Sequence, residues 1–487
     1  SLLGALVLFG NVKQSFFPPS NTPMFYLDYW RYQGSDIRAT EKDISALEEY
    51  LLAKPQVVEV TSTIGQGAPR FMLTYAPEKI HPAFGQLIIR TTDLESLNEL
   101  LADVRNYADE NLHNAVIKLK RMEIGPSTDA KIEARFQGHD PKVLRDLANQ
   151  AIEILNADGA AYNIKHDWRE LTKVIRPQFN EQKARRLGIS KADLDNVLLT
   201  TLSGRQVGLY RDGTRMLPII ARSPASERLN VDSLYDLQIF SPTLGVYVSI
   251  EQIVDGFNTE WENNLILRRD RKRTITVMAD PDILGDETAA NLLKRVKPQI
   301  EAIKLPQGYQ LDWGGEFESA SKAQKAIFGS LPLGYLVMFI ITVLLFNSIK
   351  KPLIIWATVP LAVIGVTIGL FTMSSPFSFM ALLGLLSLSG MLIKNGIVLM
   401  DQIELELSEN KHPYTAVYHS ALSRLRPVSM AAITTILGMI PLLFDVFFKS
   451  MAVTIMFGLG FATILTLLVI PALYTLVFGV KPENNEA

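Results

Sequence analysis

Lys394 sits in a stretch of 24 residues, Phe377–Met400, that carries no other charge. A lysine surrounded by hydrocarbon costs about 3 kcal/mol or more unless it is paired, hydrated or able to reach the interface. The local sequence is SGMLIKNGIVLMD, so Asn395 adds a second polar group. Ser387, Ser389, Gly390 and Gly396 are small enough to let helices approach closely. A lysine facing a packed bundle needs an anionic partner. The alternative is snorkelling: Asp401 lies seven residues on, about 10 Å along a helix, and a lysine stem covers much of that distance. No carboxylate lies at comparable depth in the apolar stretches, so a partner must come from elsewhere.

Arg424, Arg426 and Pro427 precede a later apolar stretch, and Arg426 reads as a plain anchor at the membrane surface. Thr434 and Thr435 read as helix-packing hydroxyls. Enzymatic signatures are missing: there is no P-loop, no GxSxG and no HExxH. Six scattered histidines and no cysteine argue against a metal-hydrolase site and exclude disulfides and thiolate metal sites. Methionines are spread along the chain at 24, 72, 122, 216 and 278, whereas soft-metal export wants them clustered. A net charge of −2 points to no nucleic-acid partner.

The elements that position Lys394 follow from the charge distribution. Residues 11–325 carry charges throughout, and from Ala326 to Val480 charges nearly vanish. This marks a change of solvent from water to lipid. Five spans are expected at about 326–346, 352–372, 377–400, 427–444 and 451–480, each able to satisfy its own backbone as a helix. Basic residues alternate between the connections: Lys350 and Lys351 in the first, Lys411, Arg424 and Arg426 in the third, Lys481 in the tail. The positive-inside rule then puts those connections in the cytoplasm and the soluble region outside. Residues 1–10, SLLGALVLFG, read as the outer end of a truncated membrane helix, so more chain is expected upstream.

In the soluble region the spacing predicts an α+β architecture. Strands are expected at 24–31, 57–64, 70–76, 85–90 and 115–122, with helices at 39–53 (Thr40 as cap) and 93–111. This makes a split βαβ, ferredoxin-like unit over 11–125. A second such unit is expected over 126–178 and 269–316, interrupted by a hairpin-rich insertion at 179–268 that reads as a docking element.

Against this background the chain resembles the carboxyl-terminal half of the resistance–nodulation–division (RND) transporters, in their hydrophobe/amphiphile multidrug branch. The resemblance rests on FNSIKKPLIIWATVPLAVIG, GLLSLSGMLIKNGIVLMD, RLRPVSMAAITTILGMIPL and VIPALY in the apolar half. EQKARRLGISKADLDNVL and LPQGYQLDWGG carry it in the soluble half. It implies a homotrimeric, multi-pass pump of the Gram-negative inner membrane with a periplasmic porter region. It further implies a periplasmic adaptor, an outer-membrane channel and drug export by proton antiport, driven by the proton-motive force without a cofactor. Lys394 falls on the family's proton-relay lysine, Arg424 on an assisting arginine, and Asn395 joins them; the acidic partners belong to a missing amino-terminal half. Protonating those acids would weaken their hold on Lys394 and free the helices to shift. The family's further hydroxyl in that relay is Ala431 here. By position, Phe71, Ile132, Lys165 and Trp168 are nominated for the substrate pocket; Phe71 and Ile132 could equally be sheet core.

Two rivals remain open from sequence. One is an RND-like protein that handles lipids or aids secretion. The other is a non-transporting membrane receptor or scaffold, which would have no use for Lys394.

Overall fold

A computed structural model describes residues 2–126, 128–228, 231–285 and 287–481. The chain separates into two compact units, Ser1–Arg169 with Leu265–Ala487, and Glu170–Asn264.

The first unit opens with helix α1 (Leu2–Phe9), where Ser1 lies outside the described residues. A first sheet follows: β1 (Met24–Arg31), α2 (Ile37–Leu52), β2 (Val57–Ile64), β3 (Phe84–Thr91), α3 (Leu94–Asn111) and β4 (Ala115–Arg121). Its strand order is β2-β3-β1-β4 with antiparallel neighbours. Helix α2 buries Ile44, Leu47 and Leu51 at helical spacing against Phe25, Leu27, Tyr29, Leu87 and Ile89. Asp36 caps it through the Arg38 amide. Thr40, expected as the cap, is instead fully buried, and its hydroxyl donates to the Pro82 carbonyl at 2.8 Å. The strand expected at 70–76 does not form. Pro69 and Pro77 bracket the segment, and the Tyr75 amide turns back to the Met72 carbonyl.

A second sheet begins with β5 (Ile132–Gly138), α4 (Pro141–Asp158) and β6 (Ala161–His166). The inserted unit then intervenes: β7 (Thr172–Phe179), α5 (Glu181–Arg186), α6 (Lys191–Leu198), β8 (Arg205–Asp212), β9 (Arg215–Ala221), α7 (Ala225–Arg228), β10 (Gln238–Ser241), β11 (Val246–Ser249) and β12 (Val254–Glu262). It starts before residue 179 because β7 pairs with β12 inside the insertion. The second sheet resumes with β13 (Arg268–Arg269), β14 (Lys272–Pro281), α8 (Ala289–Glu301) and β15 (Gln310–Gly314). β14, a strand the sequence reading did not single out, lies between β5 and β6. The order β6-β14-β5-β15 repeats the connectivity of the first sheet, with the insertion between its second and third strands.

Without a break, β15 runs into α9 (Gly315–Phe346). Helices α10 (Lys350–Trp356), α11 (Ala362–Thr372), α12 (Phe379–Ser408), α13 (Pro413–Met439) and α14 (Lys449–Phe478) follow. Among the described residues, five helical segments are long and apolar enough to cross a membrane. The central helix is α14, packed against α11, α12 and α13. Gly458 makes this possible: a Cβ there would stand 2.3 Å from Leu388 of α12 and 2.9 Å from Val366 of α11. Helix α13 starts at Pro413, fourteen residues before Pro427, which lies in its interior.

Candidate functional site

Helix α12 has two unlike faces. Leu388, Leu392, Gly396, Leu399, Met400 and Ile403 are buried in the bundle. The other face carries Ser387, Gly390, Lys394 and Asp401, spaced at one or two turns. Ser387, Lys394 and Asp401 are exposed, and a Cβ on Gly390 would meet open space. Among the described residues, Lys394 has no ion pair or hydrogen bond. Half-buried Asn395 is its neighbour. In lipid this arrangement is inverted, with apolar side chains inside and the charged, small-residue stripe uncovered.

Arg424 does not reach Lys394. From α13 it donates to Gln402 Oε1 at 2.6 Å, two turns along α12 toward the end that holds Glu404 and Glu406. Glu404 pairs with Lys351. Gln402 was not picked out by sequence reasoning, since a glutamine near a helix end looks like ordinary surface. Thr434 and Thr435 bond back to the carbonyls of Met430 and Ala431.

The porter residues named from sequence fall in three places. Ile132 and Trp168 are 2% and 0% exposed in the core of the second sheet, where Trp168 donates to the Thr274 carbonyl at 2.7 Å. Phe71 is 42% exposed and stacks on Tyr75 at 4.5 Å in the loop between β2 and β3. Lys165 projects from β6 toward the Trp30 ring, 5.8 Å away, which also receives Arg169 at 4.0 Å. Burial, reinforced by Lys118, pulls the Lys165 ammonium down to about 8. The four therefore do not form one pocket.

Sequence reasoning missed a seam of ion pairs joining the two sheets. Buried Lys118 of β4 bonds Asp280 of β14 at 2.5 Å and the Asp129 carbonyl at 2.7 Å. Burial opposes the charge on both, and it lowers the Lys118 pKa; Asp280, despite burial, is held low by Lys118. Arg105 forks onto Asp282 at 2.6 and 3.2 Å and lies over the Tyr162 ring. Beside this seam, within the first sheet, Lys120 pairs with Asp28, which also accepts from Gln86. The signal was present in VIKLKR: two lysines at alternate positions share the face opposite buried Leu119. Methionines also come together. Met122 is 2% exposed beside Tyr26 and Tyr75, with Met24 and Met72 packed on the same cluster. Far apart along the chain, these three are brought by the fold into one apolar cluster.

A profile described as the AcrB/AcrD/AcrF family matches residues 1–478. The chain belongs to that family. Its members are RND transporters. The cobalt-zinc-cadmium resistance protein CzcA of Cupriavidus metallidurans is 27% identical over 380 residues, covering 76% of this chain and 35% of CzcA. The nickel and cobalt resistance protein CnrA of the same organism is 30% identical over 327 residues, covering 63% of this chain and 30% of CnrA. A crystal structure of a heavy metal efflux pump shares the fold, with a TM-score of 0.83 at 21% identity over 98% of this chain and 50% of that one. The chain thus spans about a third to a half of the length of these relatives. Both relatives are metal-resistance proteins, so the comparisons indicate the metal branch of the family, and the expected placement in the hydrophobe/amphiphile branch gains no support.

Proposed function

We propose that this chain is the carboxyl-terminal half of a proton-driven RND exporter whose cargo is a heavy-metal cation. The observation that carries the first part is the uncovered stripe of α12, with Lys394 unpaired in the middle of an apolar helix. A charge in that position needs a carboxylate from a helix pair packed over it. The other half of the pump supplies it, and the relatives' greater length supports that half's existence. Proton binding to the acid and release of Lys394 favour two different packings of the helices, which is the condition for coupling transport to proton flow. The soluble sheets, read as two ferredoxin-like units, lie in the periplasm. The pump works as a homotrimer in the Gram-negative inner membrane with an adaptor and an outer-membrane channel.

The cargo class is supported by CzcA and CnrA. Among the described residues no group of three His, Asp or Glu could hold a metal ion. Met24, Met72 and Met122 share one apolar cluster with Tyr26 and Tyr75, and thioethers are the ligand type that suits soft ions such as Cu(I). A second reading, export of amphiphiles, is favoured by the loop between β2 and β3, where Phe71, Leu73 and Ile80 are exposed at 42%, 85% and 83%. The test is a resistance profile of the complete protein in a host stripped of its own efflux pumps. Protection against metal ions, lost in Met72→Ile with Met122→Ile, supports the metal reading. Protection against dyes and detergents alone overturns it in favour of the second.

A further inference from the structure

The start of α12 is tied to the seam between the two sheets by a continuous run of polar contacts. The Phe377 amide, just before the helix, donates to the Lys13 carbonyl at 2.8 Å, and the Phe379 amide, in its first turn, donates to the Phe16 carbonyl at 3.2 Å. The rings of Phe16 and Phe379 meet edge to face at 5.7 Å. The linker 13–17 is therefore held by the helix that bears Lys394. The Phe16 amide in turn donates to the Glu316 carboxylate at 3.0 Å.

Glu316 lies in the first turn of α9, and the residue before it sets its position. Gly315 has a φ of +68°, and a Cβ there would stand 2.5 Å from the Lys131 carbonyl oxygen. Glycine alone suits that turn, and the Glu316 amide then donates to the same oxygen at 2.9 Å. The Glu316 side chain is 14% exposed, and its second oxygen faces the Lys131 ammonium at 3.6 Å. The Lys131 amide donates to Asp280 at 2.8 Å, and Asp280 is the acid paired with buried Lys118. Cavities lie on both sides of Glu316. One of about 290 Å³ reaches Lys118 and Asp280, and one of about 490 Å³ reaches Phe377 and Leu382. Close-packed interiors hold few such voids, so the run can shift as a piece without a core having to repack.

We propose that Glu316 is the residue that transmits movement of α12 to the seam. When release of Lys394 lets α12 shift, its first turn carries the linker with it. Glu316 passes the displacement to Lys131 and the Lys118–Asp280 pair, which changes how the two sheets meet. The inference rests on the proton-driven reading of Lys394. Glu316 is a positioning residue in this scheme: it touches neither the transported proton nor the cargo. Coupling needs an element that both ends bias, and the run from Phe379 to Asp280 is that element.

The test is the amount of cargo exported per proton by the complete protein in liposomes. Glu316→Ala removes the acceptor of the Phe16 amide, Glu316→Asp draws it back by one methylene, and Glu316→Gln keeps an oxygen at the same reach without the charge. The Ala and Asp variants are expected to lower the ratio by about fivefold or more, the low end for coupling between sites, with proton flux persisting and no longer dependent on cargo. The Gln variant is expected to keep a ratio close to the parent's. Thermal unfolding shows which variants are folded, and the Asp and Gln pair decides if the Ala variant is not. A parental ratio in Glu316→Ala, with flux and export falling together, would overturn the proposal. So would a ratio kept by Asp and lost by Gln, which would make charge the working property. Failure of the proton-driven reading looks different: the parent itself then shows no cargo-dependent proton flux, or Lys394→Ala retains it.

Discussion

Arg424 of α13 and Gln402 of α12 are joined by a 2.6 Å hydrogen bond two helical turns from Lys394. The guanidinium is half-buried, and its Nε finds no acceptor. Arg424 therefore fixes how α13 sits on the helix that bears the lysine and does not itself touch the lysine. Replacing Arg424 with Ala removes a charged hydrogen bond worth about 1.5–3 kcal/mol. Export by the complete protein is expected to fall several-fold, and Gln402→Leu is expected to reproduce much of that fall. Transport assays on both variants and the double variant check it; effects that simply multiply would show that the two residues act apart.

Lys118 and Asp280 form a buried pair at the seam between the sheets. Removing one partner leaves an uncompensated buried charge, so Lys118→Met or Asp280→Asn alone is expected to cost about 3–5 kcal/mol. The double change Lys118→Met with Asp280→Leu should recover most of that loss. Thermal unfolding of the purified protein distinguishes these outcomes.

Trp168 is fully buried, and its indole N–H is satisfied by a backbone carbonyl. Trp168→Ala is expected to destabilise the second sheet by about 3–5 kcal/mol. Trp168→Phe keeps most of the packing and is expected to keep the cargo profile of the parent. A changed cargo preference in the Phe variant at unchanged stability would return Trp168 to the substrate path.

Burial pushes the Asp167 carboxyl up to about 6, and Glu133 adds to the rise; the bond from the Thr276 amide offsets only part of it. The folded state then holds this proton more tightly than the unfolded one. Its contribution is fully present below the ordinary carboxylate pKa and is lost as pH climbs through 6. Stability is expected to decline by about 2 kcal/mol between roughly pH 4 and 6 on this account. Asp167→Asn, which keeps an acceptor for Thr276, removes that slope. Melting temperatures across this pH range, variant against parent, measure it.

The membrane half was open to sequence reading because charge cannot hide in lipid: the break after Lys325 and the isolation of Lys394 are both plain in the letters. Span limits were less so. Pro427 looked like a helix start, yet α13 passes through it from Pro413, because its amphipathic first turns resemble an ordinary polar connection. In the soluble half, alternation marked β1, while β14 escaped notice although it has both sheet neighbours and a nearly continuous buried run. Contacts between residues far apart in sequence stayed invisible. Lys118 with Asp280, and Met24 with Met72 and Met122, become neighbours only when the strands pair. Family position was a weak guide to the pocket for the same reason: Ile132 and Trp168 turn out to be core.

The central claim is that Lys394 couples proton flow to export. The most direct measurement is proton release from liposomes that hold the complete protein, with and without cargo, for the parent and for Lys394→Ala. The account predicts cargo-dependent proton flux in the parent and none above the leak in the variant, with the variant still folded by thermal unfolding. Undiminished proton flux and export in Lys394→Ala would contradict it.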